Sequence, residues 1–430
     1  MSSVLPFDVM AQIIDIAGEN KDTNLLKQLA LVSHSFLQIC SKHLFATVDL
    51  HDAIPMTRIC HVASSKKGFV KLLKSRPDVV KYIRKLTYKV GYDNRFQFPL
   101  TCPIFNNDDY LLSPILPNLL RTIPRLTCLT IATSRLLDWN TLDSPLASAF
   151  LHLMHLPTIN HIDLSSIQSF PLSSLALSVN LHRLDLSCMR CSKTLEEDSS
   201  PEIIQSETIP QILDFHTSES TLLTRKLLHA TSKRLDGRPA FNFIDLRRLS
   251  ISFNHVGDEQ NIRYLLQNAK SLEELHLSVG LGRSLVELHD ILSPSARTLK
   301  ALDLTVSLYD DSLPLPLAGI CEELEAMAGH NILEVLSLEV HIDGHETEDS
   351  IGLAIQTVES VLLKPGWSAL RQVSFQVSIA CCLVSKEDIA KLSQALQSLP
   401  DKYLSHLPRL ESVAFNYSAC AVKCAFIFDD

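Results

Sequence analysis

Leu272-Glu273-Glu274-Leu275-His276-Leu277 is the stretch from which the fold is read. Its last two leucines stand two residues apart, so they share one face of a short extended strand. The copy before it is Leu246-Arg247-Arg248-Leu249-Ser250-Ile251, and the copy after it is Leu299-Lys300-Ala301-Leu302-Asp303-Leu304. Outward from these three, the same spacing of apolar residues recurs. Towards the N-terminus it falls at Leu181/Leu184/Leu186, Ile159/Ile162/Leu164, Leu126/Leu129/Ile131 and Ile83/Leu86/Tyr88. Towards the C-terminus it falls at Leu333/Leu336/Leu338, Leu370/Val373/Phe375 and Leu410/Val413/Phe415. A degenerate copy, Pro210/Leu213/Phe215, has proline in the first slot. That makes eleven copies between residues 83 and 410, about 33 residues apart. Such a period marks an array in which each repeat buries its apolar face on the next.

Between the strand motifs lie stretches of helical period with recognisable ends. Ser144-Pro145 reads as a cap and early proline before Leu146, Phe150 and Leu153. Asp258 precedes Ile262, Leu265 and Leu266, and Ser385 stands three residues before Asp388, close to a capping box. Gly329 is placed to close a helix containing Leu324 and Met327. Strand, loop, helix, loop, repeated, predicts an α/β solenoid over 81–430. The competing reading is a generic α/β sheet with helices on both faces. Against it stand the number of copies and the lack of a G-x-G-x-x-G after any strand. The strand motif resembles that of leucine-rich repeats, which implies an irregular leucine-rich-repeat-like horseshoe. The spacing runs from 22 to 43 residues, and an asparagine eight residues after the first leucine occurs only as Asn254. A regular asparagine ladder is therefore not expected. The Ser-rich acidic run at 190–208 interrupts the repeats as a loop insertion. Lys233–Pro239 and the acidic tract Asp343–Asp349 read as further loops, the latter ending in an acidic helix start.

The first fifty residues have a different character. Pro6 opens a first helix carrying Val9, Ile13 and Ile14, and Gly18 can end it. Asp22 caps a second helix bearing Leu25, Leu26 and Leu29, closed by Val32, and Ser33 stands before a third carrying Phe36, Ile39, Cys40 and Leu44. Three helices in so few residues hold more aliphatic side chains than they can bury alone. The motifs Leu5-Pro6-Phe7-Asp8-Val9, Ile13-Ile14 and Leu29-Ala30-Leu31-Val32-Ser33-His34-Ser35-Phe36 resemble an F-box, in versions common in large fungal families. Phe36 stands where that family usually has tryptophan. The resemblance implies a small all-α three-helix F-box at 1–50, a helical linker or cap at 51–80, and a substrate-recognition domain at 81–430. It implies docking to a Skp1-like adaptor, and through it to a cullin–RING ubiquitin ligase, with the repeats binding an unknown protein substrate. The residues it nominates for the adaptor are Leu5, Pro6, Val9, Ile13, Ile14, Leu25, Leu29, Val32 and Phe36. A cap packed on the first repeats is the alternative for this segment. A scaffold that binds partners without recruiting a ligase is the alternative for the whole chain.

Composition narrows the function classes. With 430 residues, 46% apolar and 20% charged, the chain is expected to fold and to exceed a single compact core. A net charge of −9 without a basic cluster longer than two residues argues against nucleic acid. No secretory signal or membrane-length apolar run is found, so a cytoplasmic or nuclear location is expected and no membrane partner. The eleven cysteines lack regular spacing. Cys188 and Cys191 form one CxxC with no second pair, so no metal or cofactor is expected. There is no G-x-S-x-G, phosphate loop or H-E-x-x-H, and His152 and His155 lack a third ligand. The chain therefore reads as non-catalytic. In each strand the residues between and after the inward leucines are free of core duty. Those nominated as a substrate surface are His161, Asp163, Arg183, Asp185, Asp214, His216, Arg248, Glu274, His276, Asp303 and Glu339, of mixed sign, which suits a protein or peptide.

Overall fold

The computed structural model describes residues 7–51, 63–90, 115–190, 208–229, 239–253, 258–279, 288–308, 318–343, 348–381, 385–404, 406–409 and 412–423. The 190–208 insertion, the Lys233–Pro239 run and Asn254 lie wholly or largely outside these. The chain divides into two units: Met1–Gln211 with Lys226–Phe241, and Ile212–Arg225 with Asn242–Asp430.

The repeat leucines explain both. The first apolar residue of each described motif is buried, from Ile83, Leu126, Ile159 and Leu181 to Leu246, Leu272, Leu299, Leu333 and Leu370. Pro210 fills the same slot and is also buried. The two that follow enter parallel strands. In the first unit these are β1 (Thr47–His51), β2 (Ala63–Ser65), β3 (Lys85–Val90), β4 (Cys128–Asp138), β5 (His161–Gln168) and β6 (Arg183–Ser187), ordered β2-β1-β3-β4-β5-β6. In the second they are β7 (Asp214–Ser218), β8 (Arg248–Phe253), β9 (Glu274–Val279), β10 (Ala301–Leu308), β11 (Val335–Asp343), β12 (Gln372–Cys381) and β13 (Ala414–Lys423), paired in sequence order. Within each unit the run of strands is open, so the architecture is α/β on a parallel sheet.

Register is set by the apolar slots. Leu86, Leu129, Ile162 and Leu184 face one another across β3 to β6. Leu249, Leu275, Leu302, Leu336, Val373 and Phe415 do so across β8 to β13. A slip of one residue would turn every such set to the opposite face, so the pattern fixes the pairing. Backbone carbonyls stitch the strand starts together in place of an asparagine ladder. Arg84 O accepts from Thr127 N at 2.7 Å and Cys128 N at 3.1 Å, and Lys300 O accepts from Glu334 N at 2.8 Å and Val335 N at 2.9 Å. β1 falls within the stretch assigned to the N-terminal module: Thr47 pairs with Lys85, so the sheet begins there. The 51–80 stretch holds β2 as well as the helix Lys66–Ser75.

Helix ends follow local chemistry. Ser385 Oγ accepts from Asp388 N at 3.2 Å and so caps Lys386–Gln397 as expected. The helix Ser144–Met154 begins one residue earlier than its sequence suggested: Asp143 holds the cap position, without a side-chain cap bond. Gly329 follows Ala318–Met327 with φ +82°, the left-handed conformation that glycine adopts without a Cβ penalty. The acidic helix start at 343–349 becomes Glu348–Leu362.

Three helices precede β1: α1 (Phe7–Glu19), α2 (Thr23–Ala30) and α3 (His34–Leu44). Asp22 Oδ1 accepts from Leu25 N at 3.0 Å and Ser33 Oγ from Phe36 N at 3.2 Å, capping the second and third. Gly18 does not end α1, which runs to Glu19. A side chain there would strike the His43 ring, so Gly18 lets α1 approach α3 closely. His43 Nε2 is in turn 2.7 Å from Asp15 Oδ1, alongside the Lys42–Asp15 ion pair at 2.7 Å.

Candidate functional site

Two surfaces carry side chains that the core does not need. The first is on the helical bundle. Its own core is Ile14, Ala17, Leu26 and Cys40, with Leu29, Ala30, Phe36, Ile39 and Leu44 partly buried against it. Ile14, nominated for the adaptor, is fully buried and holds the bundle together instead. Leu29 and Phe36 lend part of their surface to that core, and Phe36 stacks on Phe7 with ring centroids 6.3 Å apart. The remainder is uncovered. Val9, Ile13 and Ile16, spaced four and three residues apart, form a second apolar stripe on α1, 37%, 40% and 56% exposed. Leu25 is exposed, and the α2–α3 turn displays Leu31 at 89% and Val32 at 66%. Val32 sits in that turn, beyond the end of α2 at Ala30. Leu5 and Pro6 lie outside the described residues. A helix that is apolar on two sides has one side too many for its own bundle.

The second surface is the strand face opposite the buried leucines. Residues two apart share it, so the register brings the nominated positions into rows. In the first unit one row is Lys85, Cys128, His161 and Arg183, and the next is Thr87, Thr130, Asp163 and Asp185. His161 Nε2 is 2.8 Å from Asp185 Oδ2, and Arg183 Nε donates to the same oxygen at 3.0 Å. On its other side His161 Nδ1 is 3.2 Å from Cys128 Sγ. Burial opposes a charged imidazole here, but the hydrogen bonds to Asp185 and Cys128 outweigh it and raise the His161 pKa to about 9. Burial likewise opposes the Asp185 carboxylate, yet His161 and Arg183 hold it below its ordinary value.

In the second unit Arg248 Nε donates to Asp214 Oδ1 at 2.8 Å, while Nη2 reaches Oδ2. This bond, with smaller help from Glu274 and Glu273, raises the arginine further. His276 Nδ1 is 2.9 Å from Asp303 Oδ2, which raises the imidazole above its usual value. Glu339 accepts from Gln376 Nε2 at 2.9 Å, and His341 Nε2 is 3.4 Å away. His216 occupies the same row as His276 and Asp303. The structure thus gathers His161, Arg183 and Asp185, Asp214 and Arg248, and His276 and Asp303 into local groups of opposite sign. Sequence reasoning missed Cys128, although repeat alignment places it before Leu129 as His161 stands before Ile162.

Other features carry less. A cleft of about 490 Å³ in the second unit is lined by His289, Arg297, Met327, His330 and Asn331. Asn331 is committed to the backbone, donating to Met327 O at 2.7 Å and accepting from Leu333 N at 3.1 Å. His155 Nε2 bonds the Ser174 carbonyl at 2.9 Å, and burial lowers its pKa. Among the described residues no group of His, Cys, Asp and Glu is arranged to hold a metal ion, and no helix is long and apolar enough to cross a membrane. No protein-family model matches the chain, and no curated protein is significantly similar to it.

Proposed function

We propose that this chain is a non-catalytic substrate-recognition subunit of an SCF-type (Skp1–cullin–F-box) ubiquitin ligase. In this reading residues 1–50 are an F-box that docks a Skp1-like adaptor. The strand units are an irregular leucine-rich-repeat-like solenoid whose polar strand face binds a protein target, in cytoplasm or nucleus. The observation that carries the reading is the second apolar stripe of α1, Val9, Ile13 and Ile16, uncovered together with Leu31 and Val32. Covering such side chains stabilises an association by roughly 25 cal/mol per Å² removed from water. The mixed-sign strand face supports the second half, since paired charges suit selection of a folded surface over polyanion capture.

Co-expression with a Skp1-type adaptor, followed by affinity capture, tests it. A stable complex is expected from the wild type. Ile13→Asp and Val32→Asp should abolish it and leave the free chain's melting nearly unchanged, because both side chains are exposed. Ile14→Ala should instead destabilise the bundle itself by about 2–5 kcal/mol. No association with the wild type sinks the ligase reading and leaves a repeat scaffold that recruits no ligase.

A further inference from the structure

The contact between Cys128 and His161 has a chemistry beyond target binding or adaptor docking. Cys128, His161 and Asp185 begin or occupy three consecutive strands, β4, β5 and β6, yet lie 33 and 24 residues apart in sequence. Register pairs Cys128 with His161 and Asp163 with Asp185, so their relative positions are fixed by the backbone ladder. The order is sulfur, imidazole, carboxylate, with a guanidinium behind: Sγ to Nδ1 3.2 Å, Nε2 to Oδ2 2.8 Å, Arg183 Nε to Oδ2 3.0 Å. A nucleophile beside an imidazole that a third group orients is the arrangement that activates a thiol. The groups are chained in line rather than converging on a point, which is not how metal ligands stand.

We propose that Cys128 is a reactive thiol site, positioned by His161 and Asp185, that takes small disulfides by thiol–disulfide exchange.

The charge on His161 decides between this and hydrolysis. With its pKa raised to about 9, the ring is protonated at neutral pH. It donates through Nε2 to Asp185 and through Nδ1 to sulfur. A cation donating to sulfur favours the anionic, nucleophilic form. An imidazole already protonated cannot take a proton from water, as an acyl-enzyme hydrolase requires. In the exchange, Cys128 Sγ attacks one sulfur of the disulfide and a new S–S bond forms. The old S–S bond breaks with its electron pair on the departing sulfur, which takes up the thiol's proton, held until then by His161. Cys128 is oxidised, half of the disulfide is reduced, and no other reagent is consumed. Access separates this cysteine from two others. Cys40 and Cys321 are buried, and burial pushes their thiols up, Cys321 to about 11, whereas Cys128 is partly exposed on the strand face. His161 and Asp185 are positioning residues.

The experiment uses the full chain, limiting iodoacetamide and glutathione disulfide in separate arms, and mass spectrometry resolved by cysteine. Cys420 is the internal reference, since it is the more exposed. At neutral pH Cys128 is expected to alkylate on the order of ten times faster than Cys420, and to form the mixed disulfide first, reversibly with dithiothreitol. His161→Asn should remove that advantage and Asp185→Asn should reduce it. A Cys128 no faster than Cys420, or an undiminished rate in His161→Asn, overturns the proposal. Should the variants fail to fold, the wild-type pH profile decides. An ordinary thiol slows about tenfold per unit below a pKa of about 8.5. Cys128 should lose less of its rate than Cys420 between pH 8 and about 6, and a parallel decline overturns the proposal.

Discussion

Replacing His161 by asparagine should make the stability of the first unit depend less on pH, by an amount and over a range that the ion network sets. The His161 side chain is 24% exposed and that of Asp185 11%, so solvent screens their pair only in part. Folding raises the His161 pKa from 6.5 to about 9. The proton is therefore bound more tightly in the folded state. The stability this contributes is fully present below about pH 6.5 and is lost as pH rises through about 9. At 1.36 kcal/mol per unit, the loss has an upper bound of about 3 kcal/mol. Asp185 reports the same pair from its acid side: its lowered pKa means stability lost as pH falls through the folded value, and the two are not summed. The groups near the ring are the Cys128 sulfur, Asp185 and Arg183, with Asp163 and Lys85 on the same strand face. Each unit holds one of the chain's two tryptophans, Trp139 and Trp367. A Trp367→Phe background therefore makes Trp139 fluorescence a reporter of the first unit in urea unfolding. Trp367 Nε1 is buried without a hydrogen-bond partner, so that background loses no bond. The wild-type advantage over His161→Asn should shrink between about pH 6 and pH 9.5. An advantage equal at both ends, or a His161 proton resonance titrating near 6.5, would refute the reasoning.

Three further tests probe the packing. Phe150→Ala removes a fully buried ring that meets Tyr88 edge-on at 4.9 Å and Trp139 at 6.5 Å, and should cost about 3–5 kcal/mol in the same fluorescence assay. Glu359 is buried in the second unit and its Oε1 accepts from His406 N and Leu407 N, both at 2.8 Å. Glu359→Ala should cost about 2 kcal/mol or more by Trp367 fluorescence, and Glu359→Gln, which keeps an acceptor, less than half of that. Alanine at Gly329 and at Gly366 should differ, although both have positive φ, +82° and +124°. The first meets open space and should cost about 1 kcal/mol; the second meets the Gly329 backbone and should cost clearly more by urea unfolding.

How much could be read beforehand follows from what each signal depends on. The strand motif needs only spacing two for a face and burial for the leucines, so Ile83 through Leu370 all fell where the pattern put them. Local caps such as Asp22, Ser33 and Ser385 depend on three neighbouring residues and were equally legible. β1 was missed although Phe45, Val48 and Leu50 carry the spacing: Phe45 also caps α3, and Thr47 finds its partner Lys85 38 residues away. Gly18 looked like a helix stop because a glycine near a helix end has two uses, and only the His43 ring beside it shows which applies. The outward aliphatics told a similar story, for adjacent Ile13 and Ile14 are alike in chemistry yet point about 100° apart on α1, one 40% exposed and the other fully buried.

The pairing of Cys128 with His161 shows why motif scanning fails on a ladder of parallel strands. A parallel array brings equivalent slots of successive repeats to neighbouring positions about 4.8 Å apart, whatever lies between them in sequence. Reactive groups then assemble across repeats, with spacings set by the connecting helices and loops, and no local signature records them. The same geometry gives the strand face its mosaic of opposite charges, since Asp214 meets Arg248 and His276 meets Asp303 through register alone. Such a surface can change one slot without disturbing its leucines, because the core uses only the alternate residues. On a face built this way the leucines carry most of the packing, while ion pairs such as His161 with Asp185 add to stability across repeats.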